Sequence, residues 1–290
     1  MKKHTIVILI FLITVISGCG NKNSNSLFKK IDFNQAIGVY SIDLEHSKDK
    51  VPSILLVGNT YDLKKNNFND LSSQNTSVTI LNDKNEAIKF SAENVDWQIY
   101  DPILLEDGFS LRLSSNKLAD LKEPIFNKVT IENKDQKDDK RNISPIYIQF
   151  YSGKQNGLSV MESPFAPKNK IEIGKEYSFG YKILDSNHIM THDIRSEIIY
   201  PDEAKKFIEI INVNIYRDEN TEDQLKEEYK GKVDENKLKN IAVYELRCTY
   251  IIKEQGKIVF QPEIKLFFDQ KEQSLAPLEP ICFFNFEESQ

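Results

Sequence analysis

Residues 241–268 read IAVYELRCTYIIKEQGKIVFQPEIKLFF and contain two long runs rich in β-branched and aromatic side chains. Between Tyr244 and Ile252, apolar side chains occupy every second position, so that one face of the segment is apolar throughout. This period of two is typical of a half-buried β-strand. Because Glu254-Gln255-Gly256 separates the two runs, the sequence predicts a β-hairpin between residues 241–253 and 257–268.

Shorter segments with the same alternation occur through most of the chain, and turn residues separate them about every ten positions. The further strands that we predict cover residues 51–57, 77–81, 95–99, 109–113, 126–131, 146–151, 176–184, 194–200 and 281–286. This organisation predicts a mainly β protein with two immunoglobulin-like β-sandwich domains in tandem.

Short helices are expected in the second domain only. Pro201-Asp202-Glu203 is typical of a helix N-terminus, and the apolar residues from Ala204 to Ile211 follow at helical spacing. Thr221 and Gln224 form a capping box, which predicts a charged helix that reaches Lys230 and ends at Gly231.

The N-terminal residues have the organisation of a secretory signal. Lys2 and Lys3 precede an apolar run at residues 6–16, which is shorter than the roughly 20 residues needed to span a bilayer. Ile16-Ser17-Gly18-Cys19 resembles the lipobox of bacterial lipoproteins. That resemblance implies a lipid on the sulfur of Cys19, cleavage after Gly18, and a location on the outer face of the plasma membrane.

These features divide the chain into five segments. Residues 20–30 are polar and lack periodicity, so we expect them to form a flexible tether about 20 Å long. The predicted segments are a signal peptide (1–18), a lipidated tether (19–30), a first β-sandwich domain (31–151), a linker (152–170) and a second β-sandwich domain (171–290).

The charge balance excludes binding to polyanions through the overall field of the protein. The chain has 38 basic and 44 acidic side chains and a net charge of −6, which becomes −8 when Lys2 and Lys3 are removed with the signal peptide. An acidic protein repels nucleic acid and anionic wall polymers. We therefore expect no nucleic-acid partner.

A candidate metal site lies in the segment SNHIMTHD, which contains His188, His192 and Asp193. Two imidazoles and a carboxylate suit zinc or copper, and four-residue spacing places both histidines on one face of a helix or a strand. The helical zinc-protease pattern requires Glu after the first histidine, where this chain has Ile189. The alternative interpretation is a polar loop between two strands.

The cysteines other than Cys19 are Cys248 and Cys282. The oxidising compartment permits a disulfide between them, and their places in the strand pattern predict that both are buried within one domain. Without proximity of the two strands they would remain buried thiols.

No motif for catalysis or for phosphate binding occurs in the sequence, which lacks the G-x-S-x-G elbow and the Walker spacing. We therefore expect a non-catalytic lipoprotein without a cofactor that binds another surface protein or a cell-wall component. The charged residues 222–239 are the candidate contact element. The alternatives are a metal-dependent protein and a solute-binding lipoprotein of a transporter, although the latter usually has βαβ lobes that this pattern lacks.

Overall fold

The computed structural model describes residues 31–33, 35–45, 51–60, 76–99, 108–122, 125–133, 140–153, 157–161, 171–277 and 280–285. The signal peptide and the lipobox with Cys19 lie outside these residues. The strands are β1 (Ile31–Asp32), β2 (Gln35–Asp43), β3 (Ser53–Thr60), β4 (Ser77–Leu81), β5 (Ala87–Phe90), β6 (Val95–Ile99), β7 (Gly108–Ser114), β8 (Ile125–Glu132), β9 (Arg141–Tyr151), β10 (Leu158–Val160), β11 (Glu176–Asp185), β12 (Arg195–Ile199), β13 (Ile208–Arg217), β14 (Ala242–Ile252), β15 (Gly256–Gln261), β16 (Glu263–Phe268), β17 (Lys271–Leu275) and β18 (Ile281–Asn285). The α-helices are α1 (Glu219–Tyr229) and α2 (Glu235–Lys239), and 3-10 helices cover Ala92–Asn94, Asn116–Asp120 and Asp202–Lys206.

The protein is mainly β, as the period-two segments predict. Its described strands form four sheets, with the orders β1-β3-β7-β6, β10-β11-β14-β13, β12-β16-β17 and β18-β15-β2-β9-β8-β4-β5. The immunoglobulin-like topology that we expected is not confirmed. β2 pairs in parallel with both β15 and β9, whereas immunoglobulin sheets are antiparallel.

The seven-stranded sheet contains strands from both of the predicted domains. Since β2 pairs with β15, and β15 pairs with β18, the division into residues 31–151 and 171–290 does not separate the sheets. The predicted linker, residues 152–170, also contains β10, which pairs with β11. The seven-stranded sheet therefore extends across the predicted domain boundary.

Two hydrophobic cores lie on opposite faces of the seven-stranded sheet. In β2, Ile37 and Val39 belong to one core, and Tyr40 and Ile42 belong to the other. The β1-β3-β7-β6 sheet packs against the core that contains Tyr40, and the two sheets built around β14 and β16 pack against the core that contains Ile37. A strand buried on both faces loses the alternation of apolar and polar residues.

A buried lysine joins the seven-stranded sheet to β3. The side chain of Lys257 in β15 donates hydrogen bonds to the Gly58 carbonyl at 3.0 Å and to Asn59 Oδ1 at 2.6 Å, and Lys257 is only 1% exposed. A second hydrogen bond joins the same two sheets: the hydroxyl of Tyr40 in β2 donates to the carbonyl of Leu55 in β3. Burial lowers the pKa of Lys257 to about 8, because the charged ammonium is removed from water.

The predicted hairpin in residues 241–268 is wrong, although the first of its two strands is present as β14. β14 pairs with β11 and β13, while β15 pairs with β18 and β2, so the turn carries the chain from one sheet to another. The second run is also divided at Pro262, which lies between β15 and β16. Proline has no N–H for a ladder hydrogen bond, and β16 accordingly begins a different sheet.

Both helix predictions are partly correct. The 3-10 helix after Pro201 ends at Lys206, and the strand β13 begins at Ile208, where helical spacing was expected to continue. The charged helix exists as α1, but its N-cap is Asp218, whose carboxylate accepts a hydrogen bond from the Thr221 N–H. The N-cap predicted at Thr221 is therefore one turn too late, because the helix begins after Asp218. None of the helices in the described part of the chain has the length and hydrophobicity of a membrane-spanning segment.

The sequence leaves open whether Cys248 and Cys282 form a disulfide, and in the structure both are free thiols. Cys248 lies in β14 and is buried in one core, as its place in the strand pattern predicts. Cys282 lies in β18, is only partly buried, and packs against the opposite core. The two sulfur atoms therefore lie on opposite sides of the seven-stranded sheet.

Candidate binding groove

A buried carboxylate holds the loop between β11 and β12. Asp185, at the end of β11, is fully buried and accepts three backbone hydrogen bonds, from Asn187 at 3.2 Å, Ile189 at 3.1 Å and Met190 at 2.8 Å. The hydroxyl of Tyr244 donates to the Met190 carbonyl at 2.5 Å. These hydrogen bonds hold the main chain of a loop that belongs to no β-sheet.

The predicted metal ligands lie in this loop, and the structure does not bring them together. Within the described residues, no group of three His, Cys, Asp or Glu side chains could hold a metal ion. His188 and Asp193 have positive φ angles of 52° and 50°, so neither helix nor strand geometry continues through the segment. His192 is 82% exposed, and its Nδ1 lies 3.0 Å from Thr191 Oγ1. The described residues therefore give no support to the metal interpretation, and they place this segment in the loop between β11 and β12.

The loop instead forms one wall of a groove. The other wall is the C-terminal half of β13, with Tyr244 of β14 beside it, and the volume between the walls is about 440 Å³. The residues that line this end are His188, Met190, Thr191, His192, Ile194, Ile215, Arg217 and Tyr244.

A second cavity, with a volume of about 380 Å³, lies between β12 and the N-terminal half of β13. Its walls are residues 196–200 and 210–213, with Lys205 at the end. Both cavities lie between the same two chain segments, and we call them together the β12–β13 groove. Tyr200 closes its narrow end, because its hydroxyl accepts a hydrogen bond from the Ile210 N–H at 3.2 Å.

An ion-pair network holds the opposite end of the groove against helix α1. Arg217 donates two hydrogen bonds of 3.0 Å to the carboxylate of Glu222, which is only 5% exposed, and Lys226 donates a third at 2.5 Å. Burial opposes ionisation of Glu222, but the hydrogen bonds from Arg217 and Lys226 outweigh it and lower the pKa of this carboxyl. The carboxylate of Glu222 is therefore ionised and holds the guanidinium of Arg217 in place.

Asp218 makes a second connection between the helix and the sheet. Its carboxylate lies 2.7 Å from the ammonium of Lys182 in β11 and caps α1 through Thr221. Burial raises the pKa of Asp218, but the hydrogen bonds from Lys182 and Thr221 outweigh it and lower the value to about 2. Sequence reasoning missed this residue, although Asp three positions before Thr at a helix start is a recognisable capping signal.

The main chain of β13 is open along the groove. β13 is the last strand of its sheet in the part of the chain that the structure describes. The Asp218 N–H donates to the Val243 carbonyl at 2.7 Å, so by alternation Asn214 and Tyr216 face β14 in the ladder. The N–H and C=O groups of the alternate residues 213, 215 and 217 therefore point away from β14.

A bulge and a buried hydroxyl mark the middle of the groove. The pairing of β13 with β14 shifts between Ile210 and Asn212, and Ile211 in the bulge is 45% exposed. Across the groove, Ser196 Oγ is buried and has no hydrogen-bond partner among the described residues.

The predicted contact element, residues 222–239, covers most of α1 and α2. The structure places its first residue beside the groove through the contact of Glu222 with Arg217. Its role in binding stays a prediction.

Comparison of the sequence with known protein families finds no matching family, and comparison with curated proteins finds no matching relative. The proposal of a function therefore depends on the geometry of the groove.

Proposed function

We propose that this protein is an exported lipoprotein that binds a partner on the outer face of the plasma membrane. In this proposal a lipid on Cys19 holds the chain to the membrane, residues 19–30 form the tether, and the β12–β13 groove is the binding surface. The lipobox-like sequence supports the anchor, and the groove supports a binding role.

The observation that carries the binding role is the coincidence of an open strand edge with an aliphatic groove. Val213 and Ile215 on β13 and Ile194 and Ile198 on the opposite wall are only partly buried. Surface of this kind recognises a partner by shape and by main-chain hydrogen bonds.

The charged residues at the end of the groove next to α1 support binding rather than acid–base chemistry. Asp218 and Glu222 have lowered pKa values and accept hydrogen bonds from Lys182, Arg217 and Lys226. A general acid or base requires a pKa near the working pH, which these two carboxylates lack.

Site-specific photo-crosslinking tests the binding surface. A photoreactive amino acid at Ile211 in the groove should crosslink a defined partner in intact cells. Ile125, which is 40% exposed against 45% for Ile211, provides a control of the same residue type and exposure outside the groove. Equal crosslinking from both positions, or none from Ile211, would refute the assignment.

Fatty-acid labelling tests the anchor separately. We expect Cys19→Ala to abolish incorporation of a labelled fatty acid and to leave the signal peptide uncleaved by the lipoprotein-specific peptidase. Undiminished labelling of the variant would show that Cys19 is not the lipid site.

A further inference from the structure

We infer that the occupant of the β12–β13 groove is an extended polypeptide segment of the partner, with apolar side chains at alternate positions, which pairs with β13 as an added strand. This inference rests on the proposed function and adds the chemical class of the ligand.

Among the described strands, β13 has a partner on one edge only, and its other edge faces the groove. Residues 213, 215 and 217 direct three N–H and three C=O groups along the edge that faces the groove. At about 3.4 Å per residue, the edge from Val213 to Arg217 is about 17 Å long. Among common ligands, an extended peptide main chain matches such a row of alternating donors and acceptors, as in other cases of strand addition.

The walls of the groove fit the side chains of such a strand. An added strand would direct every second side chain to the floor, between Val213 and Ile215 on one wall and Ile194 and Ile198 on the other. These four residues are aliphatic, which selects apolar side chains at those positions.

The two ends of the groove limit the part of β13 with which an added strand can pair. At the narrow end, the Tyr200 hydroxyl already binds the main chain of Ile210, and the bulge at Ile211 interrupts the ladder. At the wide end, the pair of Arg217 with Glu222 closes the strand against α1. An added strand is therefore confined to the segment from Val213 to Arg217.

Two variants at one position separate main-chain pairing from side-chain packing. Val213→Pro removes an N–H that points away from β14, so it blocks an added strand without breaking the ladder within the sheet. Val213→Ala removes the same side-chain contacts and keeps the N–H. Thermal unfolding of both variants establishes that the fold is retained.

The probe is a short fluorescein-labelled peptide of alternating valine and threonine, and its binding to the full chain in detergent is measured by fluorescence anisotropy. We expect Val213→Pro to weaken binding by about tenfold or more and Val213→Ala by about threefold or less, since one lost main-chain bond and a steric clash outweigh the loss of two methyl groups. The same peptide with its alternate amides N-methylated is the matched ligand control and should not bind.

Absence of binding, or equal binding of the N-methylated peptide, would overturn the inference. A concentration-dependent dimer in sedimentation that Val213→Pro abolishes would also overturn it, because the occupant would then be a second copy of the chain. In each case the crosslink from Ile211 would decide independently whether the groove binds a partner.

Discussion

The burial of Lys257 predicts that stability depends on pH in a range where few groups titrate. The ammonium of this residue is 1% exposed and lies between β15 and β3. Replacing it by methionine, which has a similar length and no charge, removes the group that titrates. The experiment therefore compares the free energy of unfolding of the native protein and of Lys257→Met at two pH values.

The magnitude follows from the two pKa values. In the folded protein burial lowers the pKa of Lys257 from 10.5 to about 8. Between these values the unfolded chain holds a proton that the folded protein has released, so the free energy of unfolding rises with pH. The full interval corresponds to about 3 kcal/mol, and the part between pH 7.5 and 9.5 to about 2 kcal/mol. Well below pH 8 both states are protonated, and the cost of burying the charge no longer changes with pH.

Urea unfolding at pH 7.5 and pH 9.5 measures this effect. The native protein should gain about 2 kcal/mol relative to Lys257→Met as the pH rises. The comparison cancels the buried tyrosines, such as Tyr40 and Tyr181, whose pKa burial raises. The same pH dependence in both proteins, or a relative loss of stability in the native protein, would refute the assignment of Lys257 as a buried cation.

Two further predictions concern the loop and the cysteines. Asp185→Ala should destabilise the protein by about 2–4 kcal/mol, because three backbone N–H groups lose their acceptor. The control Asp185→Asn keeps one acceptor oxygen and should be less destabilising. A loss of stability below about 0.5 kcal/mol for Asp185→Ala would contradict the loop geometry. In the native protein Cys248 should resist alkylation, because it is buried and burial raises the pKa of its thiol; after denaturation without reductant both Cys248 and Cys282 should be alkylated, and mass spectrometry that finds neither modified would reveal a disulfide.

The strands could be predicted from the sequence because alternation is a local property. β4 and β6 have the predicted bounds, and the apolar face of β14 is the buried one. The sheet partners could not be predicted in this way. The parallel pairing of β2 with β15 joins residues far apart in the chain, and nothing in the local period of either segment specifies it.

The groove was missed for the same reason. It exists because β12 and β13, which are consecutive in the chain, are the edges of two different sheets. One local signal was present: Ile210 and Ile211 are adjacent apolar residues that interrupt the period of two, as expected at a β-bulge. The side chains of the histidine segment suggest a metal site, whereas its contribution to the groove comes from the backbone turn around Asp185.

The open edge of β13 is the basis of the proposed binding function, and hydrogen exchange resolved to single amides tests it in the protein alone. We predict fast exchange for Val213, Ile215 and Arg217 and slow exchange for Asn214 and Tyr216, because only the second set bonds to β14. Slow exchange throughout the segment would show that the edge is already covered and would contradict the assignment of the β12–β13 groove as a binding surface.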